Sequence, residues 1–387
     1  MIVVYHAIRP FEESRHRGLM AAYGARIPVV YVDPMNVWRG AQPLEPPPGA
    51  GHLPKTLDEP RVYRARLSRL LPLGRFRAVS LAHRWLAMRQ LLKAIRRRSR
   101  GRAVVFVAQH PEFLPTLAGL PVDLTVYEVR DDYAALTPDP AARRRVERAH
   151  QRMLDSSDLV LAVSDRLAGD IRPTRADVEL TSVGVEREFF DVTDDSAAPT
   201  ALRDLPRPRI GMIGNLNDRV NWDLVERLAT ERPDWTLAIV GPVYSAGDTT
   251  RTAVRHLGTF PNVHFLGAVG QSEIPSAIAA FDVCLIPYRI SEAVERINPL
   301  KLYQYLAAGK PVVSTAIPIV EKFKDVVAWC RSDDEFMRAV HLAVAQASDP
   351  ARLEARRAAA IPYTWDAIVA HQLDSFRRAL ERRGRSR

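Results

Sequence analysis

Short β-branched runs spaced by helix-patterned segments are the feature that most restricts the fold of this chain. In its first half, residues 2–6, 29–32, 104–108, 124–129 and 159–163 are apolar runs suited to strands buried on both faces. Between them, residues 12–25, 81–98 and 141–155 repeat apolar side chains at helical spacing. Parallel neighbours need a crossover, usually a helix, so the alternation predicts a doubly wound α/β sheet. Residues 39–60, rich in Pro and Gly, read as a long loop of the kind that carries function in such a fold. Residues 191–208, acidic at first and then punctuated by prolines, read as an interdomain linker. A second α/β pattern follows, with strands expected at 209–213, 236–240, 263–265, 283–286, 312–314 and 326–329. Its helices are expected at 222–230, 273–280, 299–308, 334–346 and 350–359, and a last amphipathic helix begins at 364. The predicted organisation is a first Rossmann-like domain over 1–195, joined by the C-terminal helix 364–387, and a second over 205–363. Ligands of open α/β sheets bind at the carboxyl ends of the strands near the topological switch point, here in a cleft between the domains.

Charge narrows the partners. The formal net charge is +10, and the stretch 61–102 holds fourteen Arg or Lys without one Asp or Glu. Apolar residues at helical spacing run through it from Leu81 to Ile95, so an anionic membrane surface is the expected partner of this stretch. Part of the same apolar stripe serves the core. Nucleic acid is not expected, because no RRM, KH or zinc-finger pattern is present. No run approaches the roughly 18 apolar residues of a membrane span. The opening MIVVYHAIRP lacks a basic lead-in and reads as a strand, which predicts a cytoplasmic chain, peripheral on the cytosolic face of a membrane. Cys284 and Cys330 sit among apolar residues and read as free thiols.

The chemistry concentrates in NPLKLYQYLAAGKPVVS, residues 298–314. Asn298 suits a helix N-cap, Pro299 the first helical position, and Gly309 the left-handed residue past the end, which predicts a helix over 299–308. Lys301 then lies in the first turn, where the helix end is already positive and a cation costs about 0.3–1 kcal/mol. That placement makes sense if an anion such as a diphosphate sits in front of both. Gln304, one turn on, shares the face of Lys301 and reaches a ribose or base. Gly214 and Asn215 open the loop after residues 209–213, with Arg219 beyond them as either a diphosphate partner or a solvated loop residue. The glycine spacing is not that of the GxGxxG dinucleotide fingerprint.

Taken with RIGMIGNLNDRVNWDLV, LAIVGPV and NVHFLGAVGQSEIPSAIAAFDVCLIPY, this segment resembles the C-terminal domain of GT-B glycosyltransferases of the bacterial exopolysaccharide and teichuronic-acid type, over about 208–319. The resemblance implies two Rossmann-like domains facing across a cleft, with Lys301 on the donor diphosphate and Gln304 near the nucleotide ribose. Gln304 departs from the pattern, since most relatives carry Glu there. Many retaining members add a second Glu eight residues earlier, where this chain has Arg296. Arg296 either pairs with phosphate or makes a salt contact with Glu292 or Glu295. Asn298 and Tyr288 complete the expected donor side.

An inverting transfer needs a base for the acceptor hydroxyl. Asp131 and Asp132, past the strand 124–129 and beside Arg130, are the candidates, and either can equally cap the following turn. His110 and His16 are the acceptor-side candidates. No metal constellation and no cofactor motif is present, so the donor diphosphate is expected to be held without a metal. The expected activity is transfer of a sugar from a nucleoside-diphosphate donor to a lipid-linked or cell-envelope acceptor, with inversion. The alternatives are a nucleotide-sugar 2-epimerase-like enzyme or a non-catalytic scaffold at an anionic surface.

Overall fold

The computed structural model describes residues 1–6, 17–33, 53–66, 77–112, 114–192, 194–244 and 248–385. Contacts divide the chain into two units, Met1–Ser182 with Trp365–Arg387, and Val183–Thr364.

The first unit is built on a seven-stranded sheet. Its strands are β1 (Ile2–His6), β2 (Val29–Asp33), β3 (Val62–Arg66), β4 (Val104–Ala108), β5 (Leu124–Val129), β6 (Leu159–Ala162) and β7 (Glu179–Leu180). They lie in the order β3-β2-β1-β4-β5-β6-β7, and every pairing is parallel. Alternate residues of β1 feed separate cores: Ile2 and Val4 pack with Met88, Leu92 and Ile95 of the helix Arg77–Arg98, whereas Val3 and Tyr5 pack against the C-terminal helix Trp365–Arg385. That last helix buries Trp365, Val369 and Phe376 against this sheet, each contributing roughly 1.5–3 kcal/mol. β3 was not expected. Its arginines disguise it, yet Tyr63 and Ala65 are buried and Arg64 pairs with Asp33 of β2 at 3.2 Å.

The second unit has six parallel strands, β8 (Arg209–Ile213), β9 (Thr236–Val240), β10 (Val263–Phe265), β11 (Val283–Ile286), β12 (Val312–Thr315) and β13 (Ala328–Cys330). Their order is β10-β9-β8-β11-β12-β13. Residues 191–208 are not a free linker. Ala198 and Leu202 are buried in the core of this unit, and Asp195 holds Arg207 at 2.8 Å and Arg209 at 2.7 Å. The passage between units therefore falls at Ser182–Val183 rather than near residue 195. Acids and prolines there signalled a linker, but one of those acids, Asp195, clamps Arg207 and Arg209 where the chain enters β8.

Candidate active site

In the second sheet, chain order reverses between β8 and β11, so the loops leaving their carboxyl ends part and open a crevice. The loop after β8 begins with Gly214 at φ 127°, and the loop after β9 with Gly241 at φ 138°. The Gly214 N–H donates to Val240 O at 2.9 Å, and the Leu216 N–H to Pro242 O at 3.0 Å. These loops approach so closely that a Cβ on Gly241 would lie 1.9 Å from the Gly214 carbonyl oxygen. Gly241→Ala is therefore expected to destabilise the fold by about 3 kcal/mol, read by chemical denaturation, since backbone strain adds to the clash.

After β11 the chain is equally fixed. Tyr288 N–H donates to Thr315 Oγ1 at 3.1 Å, and the same hydroxyl donates to Tyr288 O at 2.8 Å. Asn221 N–H donates to Pro287 O at 2.7 Å and Arg289 N–H to Arg219 O at 2.7 Å, which joins the β8 and β11 loops. The site helix spans Leu300–Ala307 and ends on Gly309 at φ 72°. Its N-cap is Pro299, without a side-chain hydrogen bond, so Asn298 does not cap it. Pro299 takes ψ 112°, and the helical turn starts one residue later than its sequence suggests.

Lys301 projects into the crevice. Its Nζ lies 3.2 Å from the position a Cβ would take on Gly214 and 5.1 Å from the centre of the Tyr288 ring. The ammonium thus occupies the switch point between β8 and β11, and no carboxylate pairs with it among the described residues. The missing Cβ at Gly214 lets this cation lie close against its backbone. Gln304 lies one turn further, half-buried on the same face. Asn215 is half-buried in the loop after Gly214, and Arg219 is held there by its N–H on Asn217 Oδ1 at 3.1 Å. Arg296 makes the salt contact, with Nη1 2.9 Å from Glu292 Oε1.

On the first unit, the switch point lies between β1 and β4. His110, just past β4, packs its ring on Tyr133 with centroids 4.6 Å apart. Its Nδ1 accepts the Glu112 N–H at 3.2 Å, so the neutral ring carries its proton on Nε2. Burial pushes its pKa down to about 4, and Arg84 adds to this against the pull of Glu112. Asp131 and Asp132 both follow β5, but they differ in employment. Asp132 Oδ1 accepts the Ala135 N–H at 2.9 Å and its carbonyl accepts the Leu136 N–H at 3.0 Å, which makes it the cap of that turn. Asp131 lies between Arg130 and Tyr133, and its charge helps raise the pKa of both. His16 lies outside the described residues. What sequence reasoning missed is the buried partner of Arg130: Glu128 Oε1 lies 3.3 Å from Arg130 Nη1. A glutamate in the middle of an apolar strand was the available signal.

Fourteen cations without an acid in sequence do not make an unpaired surface in the fold. Asp33, Asp58 and Asp123, all outside the interval 61–102, pair with Arg64, Arg100 and Arg96 at 3.2, 2.9 and 2.8 Å. The helix Arg77–Arg98 still exposes Val79 (41%) and Leu86 (51%) in line with Lys93 and Arg97. No helix among the described residues is long and apolar enough to cross a membrane. Among the described residues no group of three or more His, Cys, Asp or Glu is placed to hold a metal.

Residues 207–345 match the family model of glycosyl transferases group 1. The putative teichuronic acid biosynthesis glycosyltransferase TuaH of Bacillus subtilis is 27% identical over 260 residues, covering 64% of this chain; the match spans 65% of that relative's own length. Among solved structures, sucrose-phosphate synthase from Thermosynechococcus elongatus superposes with a TM-score of 0.66 at 15% identity, covering 98% of both chains. Anabaena HepE in complex with UDP and glucose gives 0.62 at 14% identity, covering 96% of this chain and 99% of that one. WaaG, a glycosyltransferase of lipopolysaccharide biosynthesis, gives 0.61 at 17% identity, covering 96% of this chain and 98% of that one. The two parallel-sheet Rossmann-like units share the GT-B fold of these structures. The match to glycosyl transferases group 1 falls on the second unit, over residues 207–345.

Proposed function

We propose that this chain transfers a sugar from a nucleoside diphosphate to a lipid-linked or cell-envelope glycan, with inversion and without a metal. The observation that carries the proposal is Lys301, an ammonium without a carboxylate partner among the described residues, at the switch point of the second sheet beside Gly214. A diphosphate there gains the lysine charge and the positive end of the helix Leu300–Ala307, and both grow in worth as the leaving group takes up charge. Arg219 extends the same positive face, and Gln304 hydrogen-bonds a ribose hydroxyl. Tyr288 forms the wall beneath Lys301, and Asn215 and Asn298 line the approach. HepE, whose structure holds UDP and glucose, supports a nucleoside-diphosphate donor, and TuaH supports a cell-envelope acceptor.

On the first unit, Asp131 takes the proton from the acceptor hydroxyl, whose oxygen attacks the anomeric carbon as the bond to the diphosphate breaks. Asp132 is left to its turn, and His110 donates its Nε2 proton as a hydrogen bond to the acceptor. Product analysis tests the reading: release of nucleoside diphosphate in step with a glycosylated, configuration-inverted product supports it. Release with only a free, epimerised sugar as product contradicts it.

The acceptor is presented at an anionic membrane by the exposed line Val79, Leu86, Lys93 and Arg97. Each cation there is worth about 1 kcal/mol at the surface. Flotation with anionic vesicles is expected to fall about tenfold or more in Lys93→Glu/Arg97→Glu, and unchanged flotation rules this face out.

A further inference from the structure

Glu128, 1% exposed within β5, is the hub of a polar cluster in an otherwise apolar core. Its Oε2 accepts the Tyr5 hydroxyl at 2.8 Å and Gln109 Nε2 at 2.6 Å. Its Oε1 faces Arg130 Nη1 at 3.3 Å and accepts Gln372 Nε2 at 3.0 Å. Gln372 belongs to the C-terminal helix, on the buried face with Val369, Leu373 and Phe376. A helix needed only to cover the sheet would carry an apolar residue at that place. The Gln372 amide is locked: its nitrogen also donates to Thr181 Oγ1 at 3.0 Å, and its oxygen accepts the Tyr23 hydroxyl. It therefore holds the same carboxylate oxygen that faces Arg130, and the residue after Arg130 is Asp131.

We infer that Gln372 is a positioning residue for the transfer: by fixing the Glu128 carboxylate it fixes Arg130, and through Arg130 the placement of Asp131. This rests on the proposed role of Asp131 as base and extends the site to the C-terminal helix. Gln372 and Arg130 share one carboxylate oxygen of Glu128, so losing the Gln372 N–H frees that carboxylate to turn and loosens its contact with Arg130. The titratable groups facing Glu128 are Tyr5 from β1, Tyr23 from the helix Arg17–Gly24, and Arg130 and Tyr133 beyond β5. Only Arg130 among them is charged near neutral pH.

The test compares wild type with Gln372→Met, which keeps the shape, and Gln372→Glu, which keeps polar contact with Tyr23 and Thr181. Each is read for folding by thermal melt, for donor affinity by calorimetry with nucleoside diphosphate, and for kcat. Folded variants are expected to keep wild-type donor affinity and to lose about tenfold to a hundredfold in kcat. A folded variant with wild-type kcat overturns the inference. So does failure of both variants to fold, which would make Gln372 a structural residue. A wild-type chain that transfers no sugar removes the underlying reading instead, and the inference with it.

Discussion

Replacing Lys301 with alanine is expected to weaken nucleoside-diphosphate binding by about tenfold to a hundredfold while leaving the fold intact. The magnitude follows from a charge-assisted contact worth roughly 1.5–3 kcal/mol. The fold survives because Lys301 is only half-buried and contacts its surroundings through Nζ, over Tyr288 and beside Gly214. Removing a cation from the first turn of the site helix even relieves a small repulsion with the helix end, so the melting temperature should hold or rise slightly. Lys301→Arg separates charge from shape. It keeps the charge, but the wider guanidinium meets Gly214 and Tyr288, so partial recovery of affinity is expected. Calorimetry with wild type and both variants reads all of this. Undiminished affinity in Lys301→Ala would mean that the anion binds elsewhere.

Asp131→Asn is expected to lower kcat by about a hundredfold to ten-thousandfold, the range of a lost general base, with little change in donor affinity. Asp132→Asn, which keeps an oxygen for the Ala135 N–H, should cost far less. Asp132→Ala loses that cap and is expected to cost about 1 kcal/mol of stability. The contrast between neighbours is what makes the experiment informative. Equal losses of kcat from both Asn variants would mean that the loop acts as a unit and that no single base resides in it. Single-turnover kinetics with saturating donor separate the chemical step from release of product.

The parallel strands and the end of the site helix were legible because each rests on a local rule. Buried parallel strands must be apolar along their whole length, and Gly309 is one of the few residues at ease at φ 72°. The start of that helix was misread because Asn-Pro suits a cap at either residue, and Pro299 took the cap itself. β3 was hidden for a different reason. Its arginines look like surface charge until the sheet brings Asp33 beside Arg64. The same effect inflated the basic stretch, whose counter-charges come from Asp33, Asp58 and Asp123 in other segments. At the candidate site, the place of Lys301 in the first helix turn was legible from sequence, while the hydrogen bond that makes Asp132 a turn cap needed the fold. Gln372 was beyond sequence reading altogether, since its contact with Glu128 joins positions 244 residues apart.

Donor binding at the switch point of the second sheet is the step on which the proposed transfer depends. Calorimetric titration of the full chain with UDP, GDP, dTDP, ADP and CMP, repeated with Lys301→Ala, measures it. The expected result is selective binding of one diphosphate, weakened about tenfold or more in the variant. Absence of binding to every nucleotide, or binding that the variant leaves untouched, would contradict it.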